Sequence, residues 1–317
     1  MEKKLQVIPF SMLVLIVFFF SSCEREVQVA AAEAAEQKLA VVCNFSPDEP
    51  FLIELTKSQK LFGENKNDLV EGAQVTLFAD NQLSETILPS PTSTSSKGKY
   101  ESETITPVAD EFYTLKIAVP GVAPITATSS IPKPIEIAHF AVGAVNEFEP
   151  NEENFIQEYE VRLSFQFADP EGEDNYYQVN FYQEVESRSN SGGSNVIKEI
   201  IPSFGYSWID ERLTTNFNLI DGGLLFRDFT FDGTTQDFLF QPLFRYNFAN
   251  YKKPDRIIIQ LRTVSEEYYQ YYTSVYRQQS QGNVPFTDPV DIFSNIEGGH
   301  GVFAGFSKDE VRQAIEF

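Results

Sequence analysis

Residues 158–168 alternate between apolar and polar side chains, and this pattern constrains the fold of the chain more than any other feature. Successive side chains of a β-strand point to opposite faces of the sheet, so the alternation predicts a strand with one buried face. The apolar set is Tyr159, Val161, Leu163, Phe165 and Phe167. Residues 176–185 alternate in the same way. The sequence therefore predicts a mainly β protein.

Residues 39–132 contain about seven short strand-like segments separated by turn-forming residues. Residues 39–43 form a continuous apolar run, whereas residues 72–78 alternate and place one apolar set on a single face. This spacing of short strands and turns predicts an N-terminal immunoglobulin-like β-sandwich over residues 39–132.

Pro132 and Pro134 stand either side of a single residue, which predicts a stiff, extended linker and a domain boundary. Residues 133–317 are then predicted to form a larger C-terminal β-sandwich domain with one packed α-helix at residues 265–279. Residues 257–259 are three consecutive isoleucines, which indicates a strand buried on both faces.

The predicted helix is amphipathic, because Tyr268, Tyr271 and Tyr272 recur at helical spacing on one face. Ser265 has the side chain of an N-cap, and the two glutamates that follow it suit the positive end of the helix dipole. After the helix, residues 284–306 are predicted to be irregular and residues 308–315 to form a short helical turn.

The first 23 residues have the three zones of a secretory signal: two lysines, an apolar stretch at residues 8–20, and small residues before Cys23. A transmembrane helix needs about 20 apolar residues, so this stretch is shorter than a typical membrane span. The order resembles a bacterial lipoprotein signal. That resemblance implies a signal peptide over residues 1–22, acyl chains on Cys23, and a tether over residues 23–38. An ordinary signal peptide with an incidental cysteine is the alternative.

The chain carries a formal net charge of −22, which argues against a nucleic-acid partner because phosphate binding needs a basic surface. Glu24 and Glu26 place acidic charge just after Cys23, as in lipoproteins exported to the bacterial surface. We therefore expect a lipid-anchored protein of the outer membrane that faces the cell exterior. Cys43 has no second structural cysteine to pair with, and its apolar surroundings predict a buried thiol.

Catalytic residues are not predicted: the chain has two histidines and no nucleophile-elbow motif. His139 lies in a strand-like segment and reads as an ordinary sheet residue. Four residues are candidates for contact with a partner or ligand: Tyr269, Tyr276, Trp208 and His300. The two tyrosines fall off the buried helix face, Trp208 is either a loop anchor or a core residue, and His300 lies among glycines.

Metal binding is considered at the acidic turn over residues 169–175, where Asp169, Glu171 and Asp174 offer the oxygen ligands that Ca²⁺ prefers. The turn lacks the spacing of an EF-hand, and a plain β-turn explains it as well. Three further acidic residues read as turn residues or ligands: Asp228, Asp232 and Asp237. No cofactor is predicted.

The C-terminal part carries the most specific pattern: TVSEEYYQYY at residues 263–272, PFTDPV at 285–290 and FSNIEGGHGVFAG at 293–305. These runs resemble a family of Bacteroidota outer-membrane lipoproteins of unknown function, commonly encoded beside TonB-dependent receptors. Position 300 departs from the family pattern, where an apolar residue is expected in place of histidine. The resemblance covers nearly the whole mature chain.

The resemblance implies a non-enzymatic accessory that captures a ligand for, or forms a lid over, a TonB-dependent receptor β-barrel during nutrient uptake. A structural or adhesive surface module without a transport role is the second hypothesis. A hydrolase that uses two of the many carboxylates is the third.

Overall fold

The predicted strands form in a computed structural model that describes residues 38–317, except for 48, 59–69, 71, 88–97, 189–196, 214–216, 221 and 282–289. The predicted signal peptide, Cys23 and all but the last residue of the tether lie outside the described residues. The described part is mainly β, as predicted, with a single helix.

In chain order, the strands are β1 Leu39–Phe45, β2 Leu52–Lys57, β3 Gln74–Ala79, β4 Gln82–Ile87, β5 Lys99–Glu101, β6 Phe112–Ala118, β7 Ile125–Ser130, β8 His139–Glu147, β9 Ile156–Ala168, β10 Tyr176–Glu186, β11 Lys198–Pro202, β12 Gly205–Ile209, β13 Phe217–Ile220, β14 Gly223–Arg227, β15 Thr235–Asn247, β16 Arg256–Val264 and β17 His300–Ala314. The helix α1 is Glu266–Gln281 and follows β16.

A nine-stranded sheet runs through the described residues in the order β13-β14-β10-β16-β17-β1-β2-β5, with β11 paired to β10 beside β14. Two four-stranded sheets, β4-β3-β6-β7 and β12-β15-β9-β8, complete the architecture. Buried residues of β1, β2 and β5 form one core with β3, β6 and β7, and those of β10, β14 and β16 form a second core with β8, β9 and β15. The long sheet thus contributes to both sandwiches.

The second core is rich in aromatic side chains, as the alternating segments predict. The five apolar residues of β9 are all 0% exposed. The three isoleucines at 257–259 are also fully buried, which confirms that β16 is covered on both faces. Full burial of such a side chain stabilises the fold by about 1.5–3 kcal/mol, so these strands contribute strongly to its stability. The predicted boundary at Pro132 stays a prediction.

The predictions for the C-terminal end were wrong in part, because residues 300–314 form one long strand. β17 pairs in parallel with β1 through its first half and antiparallel with β16 through its second half. Residues 308–315 were predicted to be a helical turn, but their exposure alternates, as it does in a strand with one solvent face. Pairing with the isoleucine-rich β16 decides the conformation of this polar segment.

Two glycines let the backbone of β17 approach the backbone of neighbouring strands closely. A Cβ on Gly301, whose φ is 106°, would lie 1.9 Å from the carbonyl oxygen of Val41. A Cβ on Gly305 would lie 2.3 Å from the carbonyl oxygen of Ser130. The glycine-rich run in this part of the sequence is therefore explained by backbone contact.

Helix α1 packs on the long sheet through a third cluster. The buried members are Ile220, Leu225, Val264, Tyr268, Val302, Ala304 and Phe306. Tyr271 and Tyr272 pack against this cluster, as the amphipathic pattern predicts. Helix α1 extends two residues beyond the predicted end. No helix among the described residues has the length and apolar character needed to cross a membrane.

Candidate ligand-binding cleft

A cleft of about 640 Å³ opens beside the first turn of helix α1. Three segments line it: residues 263–267 at the junction of β16 and α1, residues 170–176 from the loop after β9 to the start of β10, and residues 130–135 from the end of β7 onward. Asp110, in the loop before β6, completes the lining. Ligand sites commonly lie where separate layers of a fold meet, and the volume is in the range of small-molecule pockets.

Ser265 fixes the helix end of the cleft. Its Oγ accepts a hydrogen bond from the backbone N–H of Tyr268 at 3.4 Å, which confirms the predicted N-cap. Its own N–H donates to the carbonyl oxygen of Gly305 at 3.0 Å. Ser129 Oγ donates to the Glu267 carboxylate at 2.9 Å, so β7 is tied to the first turn of α1. The side chains that line this wall are therefore held by both neighbouring strands.

The segment predicted to be a stiff, extended linker forms the opposite wall and is docked on its neighbours. Ile131 is 1% exposed, and its carbonyl oxygen accepts from the N–H of Asp110 at 2.8 Å. Further along, the N–H of Ile137 donates to the Asp309 carboxylate at 2.7 Å. These bonds tie the two ends of the segment at residues 131–137 to the loop before β6 and to β17.

Acidic side chains dominate the lining. Asp110 pairs with Lys133 at 3.3 Å, and Lys133 is the one basic residue in the lining. Four further carboxylates line the cleft and form no ion pair with any described residue: Glu173, Asp174, Glu266 and Glu267. Such unpaired carboxylates attract a positively charged ligand, and the walls of a cleft strengthen their field.

An aromatic surface adjoins these carboxylates. The Tyr176 ring lines the cleft and stacks on Tyr269, with ring centroids 4.7 Å apart and an interplanar angle of 29°. Burial raises the pKa of Tyr176, and the nearby carboxylates of Glu266 and Asp174 raise it further. Both carboxylates therefore act on the same ring, and an aromatic face beside negative charge is a favourable place for an ammonium or guanidinium group.

Thr263, one of the lining residues, carries a buried polar group. It is 3% exposed, and its hydroxyl has no hydrogen-bond partner among the described residues. Ser307 lies opposite Thr263 on β17, is 1% exposed, and also has an unpartnered hydroxyl. An unsatisfied buried hydroxyl costs about 1–3 kcal/mol, so a ligand or water that reaches Thr263 gains a partner.

A separate group of carboxylates lies next to the cleft. Oxygen atoms of Asp169, Asp228 and Asp232 lie within 4.8 Å of one another, so these are the described residues that could together hold a metal ion. Asp169 accepts from Tyr177 Oη at 2.5 Å and from the N–H of Gly233 at 2.9 Å. Burial raises the pKa of both Asp169 and Asp228, and their mutual repulsion adds to the rise at Asp169.

These carboxylates join two turns. Asp228 accepts from the N–H of Asn175 at 2.8 Å, and Asp232 accepts from the N–H of Gly172 at 3.0 Å. The group therefore fixes the turn at residues 170–176, which is one wall of the cleft. Of the predicted metal ligands, Asp169 belongs to the group, whereas Glu171 and Asp174 do not. Asp237 is bonded to Gln166 instead.

The predicted contact residues are distributed over several surfaces. Tyr269 lies behind Tyr176 at the cleft and is half-buried, and Tyr276 is half-buried against the helix cluster. Trp208 lies in the edge strand β12 and is 37% exposed, so it is neither a loop residue nor a core residue. His300 is exposed at the start of β17, away from the cleft lining. Their role in binding stays a prediction.

Sequence reasoning missed most of the cleft. From the sequence, Thr263 is interpreted as an ordinary strand residue. Glu266 and Glu267 are interpreted as residues that favour the helix dipole, and their position in the first turn of α1 agrees with this. The three lining segments contain few basic residues, and this is the signal that could have pointed to the site. The sequence does not show that the segments are adjacent, and their negative charges produce a strong local field only when they are. Cys43 is buried as predicted, and burial raises the pKa of its thiol.

The comparison with known proteins supports one assignment. None of the curated proteins matches the chain. A family model described as a domain of unknown function, DUF4249, matches residues 24–312. The match starts directly after Cys23 and includes both sandwiches, helix α1 and every residue that lines the cleft. This chain therefore belongs to the DUF4249 family.

Proposed function

We propose that this protein is a lipid-anchored accessory of a TonB-dependent outer-membrane receptor and that it captures a positively charged ligand in the cleft beside helix α1. It performs no covalent chemistry on the ligand. The anchor at Cys23 keeps the protein near the receptor, which raises the effective concentration of the bound ligand at the barrel without any new contact.

The cleft is the observation that carries the proposal. It combines four carboxylates that form no ion pair with a described residue and one aromatic ring in a cleft of about 640 Å³. Polar groups that converge in this way fix the orientation of a bound molecule. A ligand with an ammonium or guanidinium group meets the carboxylates of Asp174 and Glu266 and the ring of Tyr176 together.

The sequence gives independent support for the location. Small residues before Cys23 are typical of a lipoprotein signal, and the family match begins at the next residue. The resemblance to lipoproteins encoded beside TonB-dependent receptors supports the choice of partner. The high negative charge of the chain suits a protein that collects cations near the membrane.

The proposal is tested by purifying the lipidated protein from outer membranes in mild detergent and identifying bound proteins by mass spectrometry. We expect a large receptor β-barrel in near-equal amount. A Cys23→Ala variant, which cannot be lipidated, serves as the control and should lose most of the receptor because it loses the anchor. An intact, surface-exposed protein that brings down no receptor would contradict the proposal.

A structural or adhesive surface module is the second candidate function. The docked linker and the long sheet shared by two sandwiches favour it, because they make the described part a stiff body. The two functions differ in one measurable property: deletion of an accessory slows growth on its ligand, whereas deletion of an adhesive module leaves growth unchanged and reduces attachment.

A further inference from the structure

A second surface with binding chemistry lies on the outer face of the sheet β12-β15-β9-β8. A hollow of about 200 Å³ is lined by Arg162, Trp208, Leu239, Phe240 and Gln241. None of these residues lines the cleft described above. We call this surface the Trp208 platform.

Strand geometry places the polar side chains of the platform toward solvent. Arg162 is exposed between Val161 and Leu163, which are both 0% exposed, so the guanidinium lies on the face opposite the core. Trp208 pairs with Gln241 just after a bulge in β12. A bulge re-aims side chains locally. The indole remains 37% exposed although the rest of the large aromatic set in this half is mostly buried.

Arg162 is a free cation within a strongly acidic protein. It forms no hydrogen bond or ion pair with another described residue, and neither does the side-chain amide of Gln241. Other arginines in this half are engaged: Arg212 with Asp210 at 2.7 Å, and Arg312 with Glu310 at 2.8 Å. The nearest acidic neighbour along β9, Glu160, accepts instead from Asn146 at 2.9 Å. Arg162 is therefore available to an anion from outside.

Backbone structure leaves room above Arg162. The adjacent strand β8 has a register shift between Val142 and Val145, and the residues between them are Gly143 and Ala144. A Cβ on Gly143 would lie 3.1 Å from the carbonyl oxygen of Arg162. The smallest residues of β8 thus stand beside Arg162 and place no large side chain there.

The chemistry of the platform selects one class of ligand. An exposed indole presents a flat apolar face, a guanidinium binds a carboxylate through two parallel hydrogen bonds, and an amide pairs with a hydroxyl. The hollow is smaller than the roughly 300–1,000 Å³ of drug-sized pockets, so it suits one ring. We propose that the Trp208 platform binds an acidic sugar, a uronic acid residue of a glycan, with its ring on Trp208 and its carboxylate on Arg162.

Intrinsic fluorescence tests this proposal directly, because Trp208 is the only tryptophan in the chain. The probes are trigalacturonate and the neutral trisaccharide cellotriose, titrated into the full protein. We expect a saturable change in emission with trigalacturonate and a response at least ~10-fold weaker with cellotriose. Equal responses to the two sugars, or no response to trigalacturonate, would overturn the proposal.

Two variants that each remove one positive charge distinguish a direct contact at the platform from a general effect of the charge of the protein. Arg162→Gln should weaken trigalacturonate binding at least ~10-fold, whereas Arg227→Gln, at an exposed arginine on β14, should leave it unchanged. Trp208→Ala, measured by calorimetry, should abolish binding with the melting temperature retained. An equal loss in both arginine variants, or a response to tetraglutamate equal to that of the sugar, would contradict a uronic acid site.

The platform proposal goes beyond the accessory function and does not depend on it. The titration needs neither a receptor nor a membrane. A failed titration therefore leaves the receptor partnership standing, and a failed receptor purification leaves the platform standing.

Discussion

Thr263 and Ser307 stand opposite each other on β16 and β17, and each has a buried hydroxyl without a partner among the described residues. Proteins that retain such groups give up stability, and the usual explanation is a ligand, an ion or a water that completes them. The two residues connect the fold to the site, because Thr263 also lines the cleft.

Replacement of Thr263 by valine should increase the stability of the fold and weaken ligand binding. Valine has the same shape without the hydroxyl, so Thr263→Val should raise the free energy of unfolding by about 1 kcal/mol and weaken binding in the cleft. Thr273→Val is the matched control, because the Thr273 hydroxyl accepts a hydrogen bond from Asn218 at 3.2 Å and its loss should destabilise the fold. Urea denaturation measures both variants. Destabilisation of similar size in both would contradict the account of Thr263.

Asp228 provides a prediction of pH dependence. Its folded-state pKa is raised, chiefly by burial, so the folded state prefers the protonated form. The stability contributed by that form is present below the ordinary aspartate pKa of about 3.9 and is lost as the pH rises through the raised value. Asp228→Asn should therefore gain about 1 kcal/mol relative to the wild type at neutral pH and little at pH about 3.

Chemical denaturation of both proteins across this pH range gives the comparison. A variant that is less stable than the wild type at neutral pH would contradict the prediction. If added Ca²⁺ then stabilised the wild type alone, the carboxylate group of Asp169, Asp228 and Asp232 would be a metal site, as considered from the sequence.

At the scale of elements, strand β17 holds the two sandwiches together. Its first half joins β1, its second half joins β16, and Phe303 belongs to the N-terminal core. The end of β7 approaches it at Gly305, where Ser129 and Ser130 make the closest contacts. The position of the cleft wall depends on this approach.

A side chain at Gly305 should disrupt that approach. Gly305→Ala puts a Cβ 2.3 Å from the carbonyl oxygen of Ser130, and backbone must move to accept it, so we expect a loss of about 3 kcal/mol. Gly205→Ala in β12 is the control, because its Cβ would meet only Leu243 at an ordinary 3.7 Å. Thermal unfolding distinguishes the two. Equal melting temperatures would contradict the packing described here.

Much of the fold follows from local pattern, and the cleft does not. The alternation in β9 and β3 and the cap at Ser265 are properties of neighbouring residues, so the sequence predicts them. The strand β10 was also predicted, but its polar face is buried too, because β10 lies inside the long sheet. β17 was missed because its second half is polar and its partner lies about 50 residues earlier on average, which no local pattern records. The cleft was missed for the same reason, since its walls come from segments distant in sequence.

At the scale of the whole molecule, the described residues form one sheet that spans both sandwiches and one helix that packs on it, and carboxylates converge at the first turn of that helix. The ligands that we propose for the cleft and for the Trp208 platform carry opposite charges, a cation at the cleft and a carboxylate at the platform. A protein that carries both can hold a charged nutrient while it contacts an acidic glycan, and each activity can be measured alone.

The most direct test of the central claim is calorimetric titration of the full protein with tetralysine at about 0.15 M salt, where long-range attraction is screened. Two double variants remove equal charge: Asp174→Asn with Glu266→Gln in the cleft, and Glu152→Gln with Glu153→Gln on an exposed turn. The account predicts one binding site, weakened at least ~10-fold by the cleft pair and unchanged by the control pair. Equal weakening by both pairs, or no measurable binding to the wild type, would contradict it.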